Sequence, residues 1–375
     1  MSAPIIQFGT SRFLQAHADL MLSEARENGQ DVGPITIVET TGSPTSRARI
    51  ASFAQGKPFP VHIRGLENGV RVNSVHEVGG VVNGISARMD KEALRARFLE
   101  AGTVISNTGD KGFALPDAPK PTLDDWTTFP ELLTALLKER FAAGAAPITI
   151  LPCELISRNG KVLRDLVLGL AAMTGEGAAF TGWIIERCLF INTLVDRIVS
   201  EPIVPVGAVA EPYALWAFEN QPGFVPPCKH KHIVVVPDLA PFERRKLFIL
   251  NLAHTLLAHR WLIRKGGHDA IVREEMSGPS GAWLASVMAD EVLPAFSEND
   301  QAPDYWAQCR ERFANPCLDH RLADIAQNHA AKMDRRVRGF LEWAAAIGGK
   351  YEAFPELCAV LEGTLLSHGE GRNAD

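Results

Sequence analysis

Positive charge is in short supply in this sequence. Lysine and arginine number 38 against 44 aspartates and glutamates, and the formal net charge is -6. A surface of that sign disfavours a phosphate backbone or an anionic bilayer, so no nucleic-acid partner and no membrane partner are expected. Long apolar runs are also missing: no stretch reaches the roughly 18 uncharged residues that a membrane-spanning helix needs. The opening "MSAPIIQFGTSRF" lacks a basic segment followed by an apolar core, so no secretory signal is expected and a cytoplasmic location is the default. The six cysteines (Cys153, Cys188, Cys228, Cys309, Cys317 and Cys358) form no C-x-x-C pair. In a chain of this kind they are expected to be reduced thiols.

The remainder is ordinary for a globular protein, with 46% hydrophobic and 22% charged residues. A length of 375 residues is enough for two or three domains. The first half alternates between short apolar runs and helical patterns. "PIIQF", "PITIVET", "GTVISNT" and "PITILPCEL" read as strands. "RFLQAHADLMLSEAREN", "FPELLTALLKERFAAG" and "KVLRDLVLGLAAM" have helical spacing. Strands alternating with helices predict a parallel α/β sheet. From Phe53 to about Gly84 the pattern changes to β-type alternation around an Asn68-Gly69 turn, which predicts inserted antiparallel strands. After "HIVVVPDL" nearly everything reads as helix, with breaks at Gly266-Gly267, Gly278-Pro279 and Asn315-Pro316. The expected organisation is therefore an α/β, Rossmann-type dinucleotide-binding domain over residues 1–239 and an all-α substrate and catalytic domain over 240–375. The tail "SHGEGRNAD" is expected to fray.

The first strand, turn and helix lie where a dinucleotide fold begins. The full G-x-G-x-x-G fingerprint is absent: Gly9 fills the first place, Ser11 the second and Leu14 the third. Ser11 still permits close approach of the backbone, and a helix N-terminus supplies amides and a positive dipole for a pyrophosphate. Arg12 adds a cation, and Phe13 completes the set. Glu39, at the end of the second strand, suits the ribose hydroxyls and would repel a 2′-phosphate, favouring NAD over NADP. Asn107 and Thr108 close a later strand and would lie along the nicotinamide ribose.

The helix "KLFILNLAH" (Lys246 to His254) is mostly apolar, yet it carries an amine, an amide and an imidazole. At about 100° per residue, His254 falls roughly 80° and Asn251 roughly 140° from Lys246. Three polar groups on one flank of a buried helix are costly unless they serve a site. A desolvated lysine is a competent general base. An asparagine amide can steady a developing alkoxide, and a histidine can bind a neighbouring hydroxyl. That set fits oxidation of an alcohol with hydride passing to a nicotinamide, without a metal.

At these residues the sequence resembles the polyol-specific long-chain dehydrogenases, the mannitol dehydrogenase family. The K-x4-N-x2-H signature is Lys246, Asn251 and His254. "FGTSRFLQAH", "ISNTGDKG", "LPCELISRNG", "NTLVDRIVSEP" and "RFANPCLDHRL" agree in order and span nearly the whole chain. The resemblance implies a Rossmann-type domain followed by a helical one, and interconversion of a sugar alcohol or aldonate with its ketone. It implies Lys246 as base, Asn251 near the reacting oxygen, and His254, Asp196 and Arg312 around the substrate. Members of the mannitol type carry C-D-N where this chain has Cys153-Glu154-Leu155, so the second alkoxide-stabilising asparagine is missing; Asn192 is the nearest substitute in sequence. "PCELI", "TLVDRIV", "HIRG" and His320 look closer to the tagaturonate reductase (altronate oxidoreductase) branch, in which Arg312 and His320 could meet a carboxylate. A neutral hexitol or pentitol substrate, and a non-catalytic sugar- or NAD-binding regulator, remain the alternatives. No metal is expected: "PPCKHKHI" gathers Cys228, His230 and His232, but no second ligand pair stands at zinc spacing. Asp124 and Asp125 are expected to cap the following helix. Nothing demands a dimer, so a monomer or small homo-oligomer is expected.

Overall fold

The computed structural model describes residues 2–109, 112–173 and 177–369. The first apolar run forms β1 (Ile5–Phe8), buried on both faces. The other strands are β2 (Ile35–Glu39), β3 (Phe59–Glu67), β4 (Val70–Val78), β5 (Val81–Ser86), β6 (Thr103–Ser106), β7 (Thr149–Pro152), β8 (Leu189–Phe190), β9 (Thr193–Asp196), β10 (Val199–Pro202), β11 (Ala208–Ala210), β12 (Leu215–Glu219) and β13 (Ile233–Val236). Six of them form a sheet in the order β5-β2-β1-β6-β7-β8, with every pairing parallel. Counted along this sheet's own strands, the order is 3-2-1-4-5-6. That is the doubly wound Rossmann order, and its direction reverses between β1 and β6, where such sheets bind ligands at their carboxyl ends.

Helices complete the layers. Phe8 of β1 packs its ring 6.5 Å from Phe98 and 5.1 Å from Phe129, so the helices Lys91–Glu100 and Phe129–Ala142 are pinned to one face. The second of these begins with a capping box in which Glu131 answers Thr128. The expected acidic cap is therefore elsewhere engaged: Asp124 pairs with Lys91 at 2.7 Å and Asp125 with Lys120 at 2.8 Å.

The inserted strands are β3 and β4, joined through Asn68 (φ 54) and Gly69 (φ 76). Two consecutive positive φ values define the I′ turn that suits a hairpin's twist. Val81–Ser86 lies outside the insertion, contrary to its β-alternating appearance; it pairs in parallel with β2 as the third strand of the main sheet. The inserted pair belongs to a four-stranded sheet, β10-β11-β3-β4, beside a three-stranded one, β13-β12-β9; β9, β10, β11 and β12 escape a reading of the pattern because each runs to only three to five residues.

The chain divides into two compact units. One comprises Met1–Arg64 and Asn73–Leu239; the other comprises Gly65–Val72 and Ala240–Asp375. The second is helical apart from the hairpin tip, whose Gly69 amide donates to Glu311 at 3.2 Å. Phe248, Phe340, Trp343 and Phe354 form an aromatic core here, with ring centroids 5.4–5.6 Å apart in the three closest pairs. Of the tail 367–375, where fraying was expected, residues 367–369 close the last helix, Pro355–Gly369, and residues 370–375 lie outside the described residues. Among the described residues no helix is long and apolar enough to cross a membrane.

Candidate active site

In the Rossmann unit the turn after β1 is built by Gly9. Its φ is 121, and a Cβ there would stand 2.6 Å from the carbonyl oxygen of Asn107. Only glycine lets these two loops approach so closely. Ser11 caps the helical run that follows: its hydroxyl accepts from the amide of Leu14 at 3.3 Å. Arg12 is exposed. Phe13 stacks on His17 with centroids 4.8 Å apart. Glu39 is buried at the end of β2, where one carboxylate oxygen accepts from the Gly42 amide at 2.7 Å and the other from the Ser86 hydroxyl at 2.6 Å.

The loops after β6 and β7 are stitched together. The Asn107 amide side chain donates to the carbonyl of Cys153 at 2.7 Å, and its backbone amide donates to Phe8 at 2.9 Å. Glu154, to which sequence reasoning gave no role, is the hub. Its carboxylate accepts from the Ser106 hydroxyl, the Thr108 amide and the Thr108 hydroxyl, each at 3.0 Å. Burial pushes this carboxyl above its usual range, and the three donors partly offset that rise. Leu155, at the place of the missing asparagine, is 55% exposed and offers no donor from its side chain. Asn192 is buried: its oxygen accepts from the Lys161 amide at 2.8 Å and its nitrogen donates to Glu219. The amide is thus engaged at both ends, with one N–H left. Asp196 is buried at the end of β9.

In the helical unit, "KLFILNLAH" departs from an ideal helix. Lys246–Asn251 is a π turn between the α-helices Ala240–Arg245 and Leu252–Ile263. Because π bonding runs from i to i+5, Lys246 and Asn251 stand one turn apart on one flank, where α geometry would separate them. Lys246 and Asn251 are half-buried and His254 is buried. The His254 ring packs 4.3 Å from Phe313 and 5.0 Å from His320, measured between centroids. Burial, reinforced by the basic neighbours His320, Arg312, Arg336 and Lys332, holds His254 well below the usual imidazole value. It is therefore neutral near pH 7, and its buried Nε2 has no hydrogen-bond partner among the described residues. His320 is also lowered, chiefly by burial, and among the described residues its buried Nδ1 likewise has no partner. Arg312 is buried at the end of the helix Ala302–Phe313.

Two residues of this cluster went unnoticed in the sequence. Lys332 donates to the Ile325 carbonyl at 2.6 Å. Arg336 donates to the Asn251 carbonyl at 3.2 Å and to the Thr255 hydroxyl at 2.8 Å. Burial lowers both, Arg336 to about 10. "AAKMDRRVRGF" reads as a solvated charged face, and only the fold reveals that two of its cations turn inward.

The histidines near Cys228 are otherwise occupied. His230 meets Glu24 at 2.7 Å, and His76 approaches the other oxygen of the same carboxylate at 3.1 Å. Burial pushes the Cys228 thiol up to about 11. Among the described residues, no three histidine, cysteine or acidic side chains are grouped so as to hold a metal ion.

The comparisons with known proteins agree with this architecture. The mannitol dehydrogenase Rossmann domain matches residues 3–225, and the mannitol dehydrogenase C-terminal domain matches residues 238–362. Altronate oxidoreductase of Bacillus subtilis (strain 168) is 30% identical over 363 residues, covering 88% of this chain and 73% of the relative. That of Klebsiella pneumoniae (strain 342) is 31% identical over 367 residues, covering 89% and 73%. In fold, the chain is similar to Pseudomonas fluorescens mannitol 2-dehydrogenase, solved as a ternary complex with NAD and D-mannitol. The TM-score is 0.77 at 21% identity, over 96% of this chain and 78% of that one. A D-sorbitol dehydrogenase in substrate-free form gives 0.80 at 20% identity, over 95% and 79%. With both of its domains matched in order, the chain belongs to the mannitol dehydrogenase family.

Proposed function

We propose that this protein is an NAD-dependent dehydrogenase that interconverts a secondary alcohol of a polyol or aldonate with the corresponding ketone. The observation that carries the reading is the π turn that sets Lys246 and Asn251 on one flank, beside a buried, neutral His254. Residues 1–239 form the cofactor-binding part and residues 240–375 carry the base. Bound NAD supplies the hydride acceptor.

The residues of the Rossmann unit fit that cofactor. Gly9 lets the first turn close against the Asn107 loop, at the strand-order reversal that receives dinucleotides. Ser11, Arg12 and Phe13 open the adjoining helix, and Asn107 and Thr108 are held in place by Cys153 and Glu154. Glu39 takes the ribose hydroxyls on the lone pairs left by Gly42 and Ser86, and its charge disfavours a 2′-phosphate.

Lys246 in its neutral form takes the hydroxyl proton as the C–H hydride leaves, so the alcohol loses one hydride and one proton and becomes a ketone. Asn251 donates to the developing alkoxide. His254 presents an unpartnered nitrogen to a neighbouring hydroxyl. Asp196, Arg312 and His320 bind the rest of the substrate, and Asn192 contributes its remaining N–H. The altronate oxidoreductases among the relatives support a sugar-acid substrate. The protein acts in the cytoplasm as a monomer or small homo-oligomer. The test is an NAD-reduction screen with altronate, mannonate, hexitols and pentitols. Reduction with at least one is expected; NADH binding without turnover of any would sink the dehydrogenase in favour of a sensor.

A further inference from the structure

Five basic side chains of the helical unit crowd together. His320, Arg312, Arg336 and Lys332 all bear electrostatically on His254, and Arg336 bears on Lys332. Lys332 and Arg336 are the cations here that repel each other, and burying them without counter-charge is costly. The partners of Lys332 and Arg336 are neutral oxygens: the Ile325 carbonyl for the first, the Asn251 carbonyl and Thr255 hydroxyl for the second. Among the described residues, neither is paired with a carboxylate. An acid was at hand in the same turn, yet Asp334 turns to the more exposed Arg338, at 2.7 Å. Asp324 bears on His320 but is itself exposed.

The guanidinium geometry says what is missing. Arg336 spends its Nη1 on Asn251 and Thr255. The opposite edge, Nε with Nη2, is the fork that grips a carboxylate through two parallel hydrogen bonds. The Asn251 carbonyl is itself braced, since the Thr255 hydroxyl also donates to it at 2.9 Å. The fork is therefore tied to the backbone of the residue assigned to the reacting oxygen. A neutral hexitol offers only hydroxyls to this edge, whereas an aldonate brings a carboxylate on the same carbon chain.

We infer that Arg336 is the specificity-determining residue of the site, gripping the carboxylate of a sugar acid with Lys332 as the adjoining cation, so that aldonates are selected over neutral polyols. The inference rests on the dehydrogenase reading above for what the site does, but its test does not require turnover. Dissociation constants for altronate and D-mannitol are measured by titration calorimetry on the full chain saturated with NADH, which forms a dead-end complex with either alcohol. Wild type binds altronate more tightly, and added salt weakens altronate but not D-mannitol. Arg336→Gln weakens altronate roughly ten- to hundredfold, the loss expected for a hydrogen bond to a charged group, while D-mannitol changes by no more than about twofold. Arg336→Lys recovers part of the loss. NADH fluorescence reports that each variant is folded, and the salt dependence of wild type needs no variant.

Equal affinity of wild type for the two ligands overturns the inference. So does an Arg336→Gln variant that weakens both alike, for then the arginine only braces Asn251. NAD reduction confined to neutral polyols also overturns it while leaving the dehydrogenase intact. Arg336-dependent altronate binding with no reduction of NAD supports the carboxylate grip and refutes the dehydrogenase instead.

Discussion

Asp19 sets up a measurable conflict in the Rossmann unit. It ends the π turn Gln15–Asp19 that follows the Gly9 loop, and it is fully buried. One oxygen accepts a long hydrogen bond from Gln7 at 3.3 Å; among the described residues the other has no partner, nor has the Gln7 side-chain oxygen. Burial raises the carboxyl from 3.8 to about 7, despite Gln7 and the charge of Arg26. Below the unfolded value both states carry the proton and nothing is lost. Between the two values the folded state binds more protons than the unfolded, so stability falls as pH rises, and above about 7 the loss is complete. A displacement of that size corresponds to about 4 kcal/mol. Asp19→Asn removes the titration and supplies an N–H among oxygens that lack one. Thermal melts of the two proteins should nearly coincide at about pH 4 and diverge steadily up to about pH 8, with the variant the more stable by several degrees. A melting difference that is constant with pH, or a variant less stable at alkaline pH, would refute the assignment of a buried, strained carboxyl.

Three other substitutions bear on the site. Lys246→Ala should lower kcat by roughly 10²- to 10⁴-fold, as for loss of a general base, with NADH affinity unchanged; near-normal turnover would remove Lys246 from that role. Gly9→Ala places a methyl 2.6 Å from the Asn107 carbonyl at a φ of 121, so both the melting temperature and NADH affinity should drop. Retention of both would mean that the loop does not require glycine. Glu39→Ala should raise kcat/KM with NADP relative to NAD, and an unchanged ratio would show that Glu39 serves only Gly42 and Ser86.

Much of the fold was readable because it rests on local signals. β1 and β2 are short apolar runs, and Asn68-Gly69 is a turn of known geometry. What escaped depends on tertiary context. Val81–Ser86 alternates like a hairpin strand, yet it pairs with β2 because its neighbour is chosen by the sheet and not by its own pattern. The cap before Phe129 is Thr128, while Asp124 pairs with the distant Lys91 and Asp125 with Lys120 of its own loop. Within the candidate site, Lys246, Asn251 and His254 stand out because polar groups in an apolar helix are conspicuous. Lys332 and Arg336 sit among other charges, so nothing in their own stretch marks them. Glu154 was visible as a departure from the family pattern, but its function as a hub depends on Ser106 and Thr108, nearly fifty residues away in sequence.

The spacing of the signature has a physical meaning that an α-helical wheel obscures. On an α-helix, residues five apart lie roughly 140° from each other, so the flank that the helical wheel gives to Lys246 and Asn251 is a wide one. On a π turn the same interval closes a turn. Four such turns occur among the described residues: Gln15–Asp19, Lys246–Asn251, Met288–Val292 and Asp334–Arg338. Each holds an ionisable side chain that is buried or half-buried, namely Asp19, Lys246, Glu291 and Arg336. Glu291 shows the structural use, its carboxylate accepting from the amides of Glu356 at 2.7 Å and Leu357 at 3.1 Å at the start of the last helix. The extra residue in each turn shifts the helix register, so that apolar residues on either side can keep facing the core while a polar one is inserted between them. Such turns have poorer hydrogen-bond economy than α-helix and persist where the inserted group is held by something else. For Arg336 that holder is the Asn251 carbonyl, so the π turn bearing the arginine is fastened to the π turn bearing the lysine. The K-x4-N interval is thus the sequence trace of an insertion, and the two turns together give the helical unit its row of inward polar groups.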